Sequence, residues 1–298
     1  MKIEKCGYSG FNLHTFQWFL IDLCNMKCSY CIEGYGDKNY TSSCNVHKSK
    51  IFSNIFKKVL KMIDLKSTPN FDIELLGGEP TLHPNFDCIV NELTKNEKCQ
   101  NIYILTNLKQ SKKNFKNVNP NNKICINASI HFENYNPSIE DDCLFLKDRK
   151  FNVLPVVMLH DNKKYWDDIE NFLLFCKKNK IEYNISFLYD TVYGYKPIYT
   201  DKFYERFNKY IKDDKRSWPF TVDGVNRNYS YREVLDNKLH ELKNINCKPL
   251  RWVIDYKGSI YNACTKEPYL IRKKDNKFIK CPMECCGCDI QWSYEKYI

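Results

Sequence analysis

The chain has 298 residues, and its sixteen cysteines are the residues best placed to do chemistry. Two groups stand apart from the rest. Cys24, Cys28 and Cys31 form a CxxxCxxC segment, CNMKCSYC. Cys281, Cys285, Cys286 and Cys288 crowd the run CPMECCGC, with Cys247 and Cys264 upstream of it. Three thiolates in one loop can hold three irons of a [4Fe–4S] cluster and leave the fourth iron open. An open position is what separates a reactive metal site from a closed structural one. A zinc knuckle is the competing reading, with Cys44 or His47 as its fourth ligand. The isolated cysteines, among them Cys88, Cys125 and Cys176, have apolar neighbours and read as small hydrophobes. Disulfides are a poor reading for a chain this long without an apolar signal segment at its start.

Composition narrows the setting. Hydrophobic residues make up 43% and charged residues 28%, which suits a soluble globular protein. No apolar run approaches the ~18 residues of a membrane span, so a cytoplasmic location is expected. The net charge is +10, but the lysines are scattered among asparagines. That pattern reads as solvated surface and argues against a nucleic-acid groove.

The elements that must position these cysteines alternate. Strands are expected at Phe16–Leu23, Phe71–Leu76, Asn101–Leu108, Lys123–Phe132, Asn152–Leu159 and Glu182–Leu188. Helices are expected near His47–Leu65, Asn85–Thr94, Ser138–Lys147, Tyr165–Lys178 and Lys202–Lys212, with Ser138 as an N-cap. Six strands alternating with helices predict an α/β fold built on a parallel sheet, curved into a partial (β/α)6 barrel. Function then belongs at the C-terminal strand ends, where CNMKCSYC and Gly77-Gly78-Glu79-Pro80 both fall. After about residue 215 the rhythm breaks. Trp252–Ala263 reads as a hairpin turning at Asp255–Gly258, inside a cysteine-rich second unit. The expected division is 1–216 and 217–298.

CNMKCSYC followed one strand later by GGEP resembles the radical S-adenosylmethionine (SAM) superfamily. The resemblance implies that Cys24, Cys28 and Cys31 ligate a [4Fe–4S] cluster whose open iron chelates SAM. It implies reductive cleavage to methionine and a 5′-deoxyadenosyl radical, which takes a hydrogen atom from the substrate. Tyr30 is the aromatic typical before the last cysteine. Gly77, Gly78, Glu79 and Pro80 would contact the SAM amino group. Asn107 would lie near the substrate side, and Ser129, His131 or Glu133 would reach the ribose or carboxylate. The family's GxIxGxxE pattern is absent from the fifth strand, where His160-Asp161 is a further candidate facing substrate.

The C-terminal cysteines resemble a Twitch domain, a shortened SPASM domain. That resemblance implies one auxiliary [4Fe–4S] cluster held by Cys247, Cys264 and ligands among Cys281, Cys285, Cys286 and Cys288. A zinc ribbon is the alternative. The implied substrate is a small molecule, such as an aminocyclitol or sugar, or a peptide; the implied electron donor is a flavodoxin or ferredoxin. The 23 residues before Cys24 leave no room for a leader-binding domain of ~80 residues, which counts against the peptide reading. Segment 191–246 matches nothing named, and Trp218, Phe220, Tyr229 and Tyr231 are candidates either for a pocket wall or for a packed seam. A non-enzymatic iron–sulfur or zinc-binding module would leave GGEP unexplained.

Overall fold

In strands β4 (Cys99–Thr106), β5 (Ile124–Ile130), β6 (Asn152–Leu159) and β7 (Asn184–Phe187), fully buried and half-buried positions alternate. Isoleucines at 102, 104, 124, 126 and 130 fill the buried set. Side chains alternate faces along a strand, so one face packs under helices and the other looks into the hollow of a curved sheet. The computed structural model describes residues 2–8, 13–33, 49–63, 70–188, 195–248, 250–264, 279–281 and 296–297.

β1 (Ile3–Cys6) precedes the barrel. The barrel runs β2 (His14–Ile21), helix α1 (Ser49–Ile63), β3 (Phe71–Gly77), α2 (Phe86–Lys95), β4, α3 (Ser111–Asn114), β5, α4 (Ser138–Asp148), β6, α5 (Trp166–Lys178), β7 and α6 (Asp201–Ile211). Strands β2 to β7 are parallel neighbours in chain order. This singly wound order is that of a partial (β/α)6 barrel; a doubly wound sheet would reverse direction part-way. One helix start differs from expectation. Ser138 is the first helical residue of α4, Pro137 takes the cap position, and no side chain caps that end.

The remaining strands complete two sheets. β8 (Ser217–Val222) and β9 (Val225–Ser230) form a hairpin, followed by α7 (Tyr231–Asp236). β10 (Asn246–Cys247), β11 (Arg251–Ile254), β12 (Ile260–Asn262), β13 (Ile279–Lys280) and β14 (Lys296–Tyr297) follow. The hairpin expected at 252–263 is present as β11–β12, with Gly258 N–H donating to Asp255 O at 2.9 Å. β11 also pairs parallel to β2, so the hairpin extends the barrel sheet. Conversely, β1 joins β8 and β14 in a separate six-stranded sheet, ordered β13-β10-β14-β1-β8-β9.

Trp218, Phe220, Tyr229 and Tyr231 are buried, and Trp218–Tyr231 and Phe220–Tyr229 pair at ring separations of 6.4 and 5.8 Å. They form a packed seam. Of the isolated cysteines, Cys176 is buried as expected, but Cys88 is exposed and Cys125 lies half-buried on the hollow side of β5.

Candidate active site

β2 ends at Ile21, and the loop that follows carries Cys24, Cys28 and Cys31. β3 ends beside it, and its two glycines determine how closely. A Cβ at Gly77 would stand 2.1 Å from Ile21 O, and one at Gly78 2.3 Å from Leu23 O. Gly77 also holds φ +136°, which L side chains rarely adopt. In place of side chains there are two backbone bonds: Gly78 N–H to Ile21 O at 2.9 Å, and Glu79 N–H to Leu23 O at 2.8 Å. The sequence suggested that the glycines let the backbone approach a ligand; the close approach seen here is to the root of the cysteine loop.

Glu79 is buried and fully engaged. Oε1 accepts from Thr81 N (3.1 Å), Thr81 Oγ1 (2.6 Å) and Thr106 Oγ1 (2.8 Å); Oε2 accepts from Asn107 N (2.7 Å). Burial pushes its carboxyl pKa up, against the pull of these donors. The carboxylate therefore ties the turn at Pro80–Leu82 to the end of β4. Asn107 carries the tie onward, donating from Nδ2 to Asn25 Oδ1 at 2.8 Å and to Cys24 Sγ at 3.9 Å.

A second brace holds the loop from the other side. Ser29 N–H and Oγ–H donate to Glu133 at 2.6 and 2.5 Å. Glu133 meets His160 Nε2 at 3.4 Å, and Asp161 Oδ1 lies 3.1 Å from His160 Nδ1. Tyr195 O–H donates to Asp161 Oδ1 at 2.5 Å. Burial works to raise the Glu133 pKa, but the Ser29 and His160 bonds outweigh it and hold it below the ordinary value. Glu133 thus grips the cysteine loop, and His160-Asp161 stands behind Glu133. Tyr30 is buried with its Oη 3.1 Å from His131 Nδ1, and burial lowers the His131 pKa to about 4, keeping the imidazole neutral.

These walls enclose a cavity of about 350 Å³ at the C-terminal ends of the parallel strands. Cys24, Cys28, Tyr30 and Cys31 line one side, and Gly77, Gly78, Glu79 and Asn107 another. Ser129 and His131 close it from β5 and its end, with Met158, Ser186 and Leu188 beyond. The three cysteines, both glycines, Glu79, Asn107, Ser129 and His131 are thus brought together. Glu133 is turned to the loop backbone, and Pro80 is buried as the first residue of its turn.

The residues fit an iron–sulfur cluster. Burial, with the Glu133 charge next, pushes the Cys28 thiol to about 12. Left to itself the thiol stays protonated, and a bound metal would take the proton's place. Donors already stand at two sulfurs: Met26 N–H at 3.4 Å from Cys24 Sγ, and Asn134 Nδ2 at 3.5 Å from Cys28 Sγ. Asn25 Nδ2 is buried with no partner among the described residues, and an anionic cluster would supply the acceptor it lacks. Among the described residues no three His, Cys, Asp or Glu side chains can share a single metal ion. A four-iron cluster asks for less proximity, since each thiolate meets its own iron. Asn25 and Asn134 escaped the sequence reading because an asparagine beside a cysteine has no spacing signature; Asn107 was expected on the substrate side, but its contact with the cysteine loop was not.

Of the expected auxiliary ligands, Cys247 and Cys281 are buried and Cys264 is half-buried just past β12. Burial raises Cys247 to about 12, with Lys296 pulling the other way and the charges of Cys264 and Cys281 adding to it. Cys285, Cys286 and Cys288 lie outside the described residues, as do Cys44 and His47.

The chain matches no family model. A curated relative, GTP 3′,8-cyclase from Thermodesulfovibrio yellowstonii, is 27% identical over 193 residues. The match takes in 59% of this chain and 56% of that protein, so the chain spans little more than half the relative's length. Among solved structures, native anSMEcpe with bound AdoMet and Kp18Cys peptide gives a TM-score of 0.54 at 15% identity, over 90% of this chain and 77% of the other. Streptococcus suis SuiB bound to S-adenosylmethionine gives 0.53 at 16%, over 83% and 57%. The shared property is the fold.

Proposed function

We propose that this chain is a radical SAM enzyme. The observation that carries the reading is the shared cavity: three cysteines of one CxxxCxxC loop face the Gly77-Gly78 backbone and Glu79 across a space at the strand ends. When bound, the cluster supplies the electron that cleaves SAM to a hydrogen-abstracting 5′-deoxyadenosyl radical. Cys24, Cys28 and Cys31 hold its irons, while Asn107, Asn134 and Met26 N–H present donors to the sulfurs. Ser129 and His131 line the space left for SAM, with neutral His131 held by Tyr30. Met158, Phe187 and Leu188 give the far wall an apolar character.

The substrate we favour is a peptide. The anSMEcpe structure that this fold matches holds a peptide, and the present fold covers most of that chain. An aminocyclitol or sugar is the second reading. Residues 217–298 are assigned to an auxiliary cluster unit of Twitch type, with Cys247, Cys264 and two ligands among Cys281, Cys285, Cys286 and Cys288, reduced by a flavodoxin or ferredoxin. Anaerobic reconstitution tests the whole reading. About eight irons per chain are expected, from two four-iron clusters, with SAM perturbing only one of them. Dithionite with SAM should yield 5′-deoxyadenosine. Stoichiometric zinc with almost no iron would overturn it.

A further inference from the structure

β5 ends at Ile130, and the next four residues form one tight turn, closed by Asn134 N–H donating to His131 O at 3.1 Å. Phe132 anchors the turn: it is 2% exposed and packs edge-on against Phe172 of α5 at a ring separation of 6.5 Å. The other three side chains all reach the cysteine loop, each at a different residue. Asn134 Nδ2 lies 3.5 Å from Cys28 Sγ, Glu133 accepts both donors of Ser29, and His131 Nδ1 meets Tyr30 Oη at 3.1 Å. One turn therefore fixes three consecutive loop residues. Glu133 has the strongest of the three grips, because an ionised carboxylate accepts two short bonds from a single residue.

Glu133 brings a charge as well as a grip. Its side chain is 16% exposed, and the bonds from Ser29 and His160 keep it ionised. Burial raises the proton affinity of the Cys28 thiol most, and the Glu133 charge raises it next. A carboxylate that opposes negative charge on Cys28 also opposes an electron entering a cluster that Cys28 holds. Two basic side chains face Glu133 in turn. His160 Nε2 stands 3.4 Å away. The exposed Lys164 also feels the charge, but solvent screens it. Glu133 is not among the residues that line the cavity left for SAM.

We propose that Glu133 is a positioning residue for the cysteine loop, acting through Ser29 and not on SAM, and that its carboxylate makes the cluster held by Cys24, Cys28 and Cys31 a stronger reductant. The first half concerns the protein alone. The second half rests on the radical SAM reading above.

Hydrogen exchange on the iron-free full chain tests the grip. Glu133→Ala should speed exchange of the segment carrying Ser29 and Tyr30 by about tenfold or more, the loss of a charge-assisted bond. Ser29→Ala keeps the backbone N–H bond and should speed it less. Exchange at the wild-type rate in Glu133→Ala would overturn the positioning role. A redox titration followed by electron paramagnetic resonance on reconstituted protein tests the charge. Glu133→Gln keeps an acceptor for Ser29 and removes the charge, so the SAM-responsive cluster should move to a less negative potential. Ser29→Ala retains the charge and should shift the potential less. An unchanged potential in Glu133→Gln refutes the charge role. SAM affinity should change by less than about twofold in Glu133→Gln, because no contact to SAM is lost. A fall of about tenfold or more would put Glu133 on the ribose or carboxylate of SAM, as the family resemblance implies, and overturn the proposal. Protein that shows the expected exchange pattern but takes up no four-iron cluster would sink the radical SAM reading and the charge role together, and leave the grip standing.

Discussion

At position 78 a methyl group would meet Leu23 O at 2.3 Å and Cys24 N at 2.9 Å, both backbone atoms with nowhere to yield. Gly78→Ala should therefore push the cysteine loop off β3, at a cost of about 1–3 kcal/mol. Reconstituted protein should lose the SAM-responsive cluster, which iron analysis and electron paramagnetic resonance would register; full loading would show that the loop tolerates displacement. Glu79→Ala acts on the same contact from the other side. It strands the donors of Thr81, Thr106 and Asn107, each buried. The expected loss is about 2–3 kcal/mol of stability, with weaker SAM binding; urea unfolding and a SAM titration would both detect it. The GGEP motif was legible in the sequence, but what its glycines touch was not, because a turn signal does not reveal which neighbour lies beneath it.

Helices α5 and α6 are joined by one carboxylate. Glu170 accepts from Arg206 Nε at 2.9 Å, Lys209 Nζ at 3.0 Å and Tyr210 Oη at 3.1 Å. Burial raises its pKa, yet these three donors outweigh burial and hold it below 4.5. A depressed carboxylate pKa stabilises the fold above the ordinary value and stops doing so as pH falls through the folded one. Glu170→Gln should thus lower the melting temperature by roughly 2–4 °C at pH 7, for about 1 kcal/mol. The gap should close as the pH falls through the depressed folded value; a gap that persists in strong acid would exclude this origin. Apart from the one-turn helix α3, the strands and helices from β2 to residue 211 were readable from periodicity, and the hairpin from Asp255–Gly258. Strand β1 was not, since four residues show no pattern until β8 and β14 flank them. The Ser230–Glu233 capping box was present in the sequence and passed over, because its helix, Tyr231–Asp236, is too short to show periodicity.

At the scale of the molecule, the two cysteine sets should separate. Cys24, Cys28 and Cys31 changed together to Ala should leave about four irons and abolish 5′-deoxyadenosine formation. Cys247→Ala with Cys264→Ala should also leave about four irons while dithionite-driven SAM cleavage persists; loss of cleavage in a folded variant would refute the division of labour. The sets are chemically distinct but not structurally detachable. Arg251 reaches from the β11–β12 hairpin to Glu74 of the barrel at 3.7 Å, and Glu74 also accepts from Gln17 at 2.6 Å. Each sheet borrows a strand across position 216: β1 pairs with β8, and β11 pairs with β2. During synthesis the order of emergence then matters. β1 leaves the ribosome first and waits for a partner 211 or more residues later (Cys6 to Ser217), while β2 keeps an open parallel edge until Arg251 appears. Unpaired edges invite association between chains. A nascent or truncated chain ending near residue 216 should therefore be the aggregation-prone form of this protein, and its vulnerability in the cell should be greatest before residues 217–298 are made.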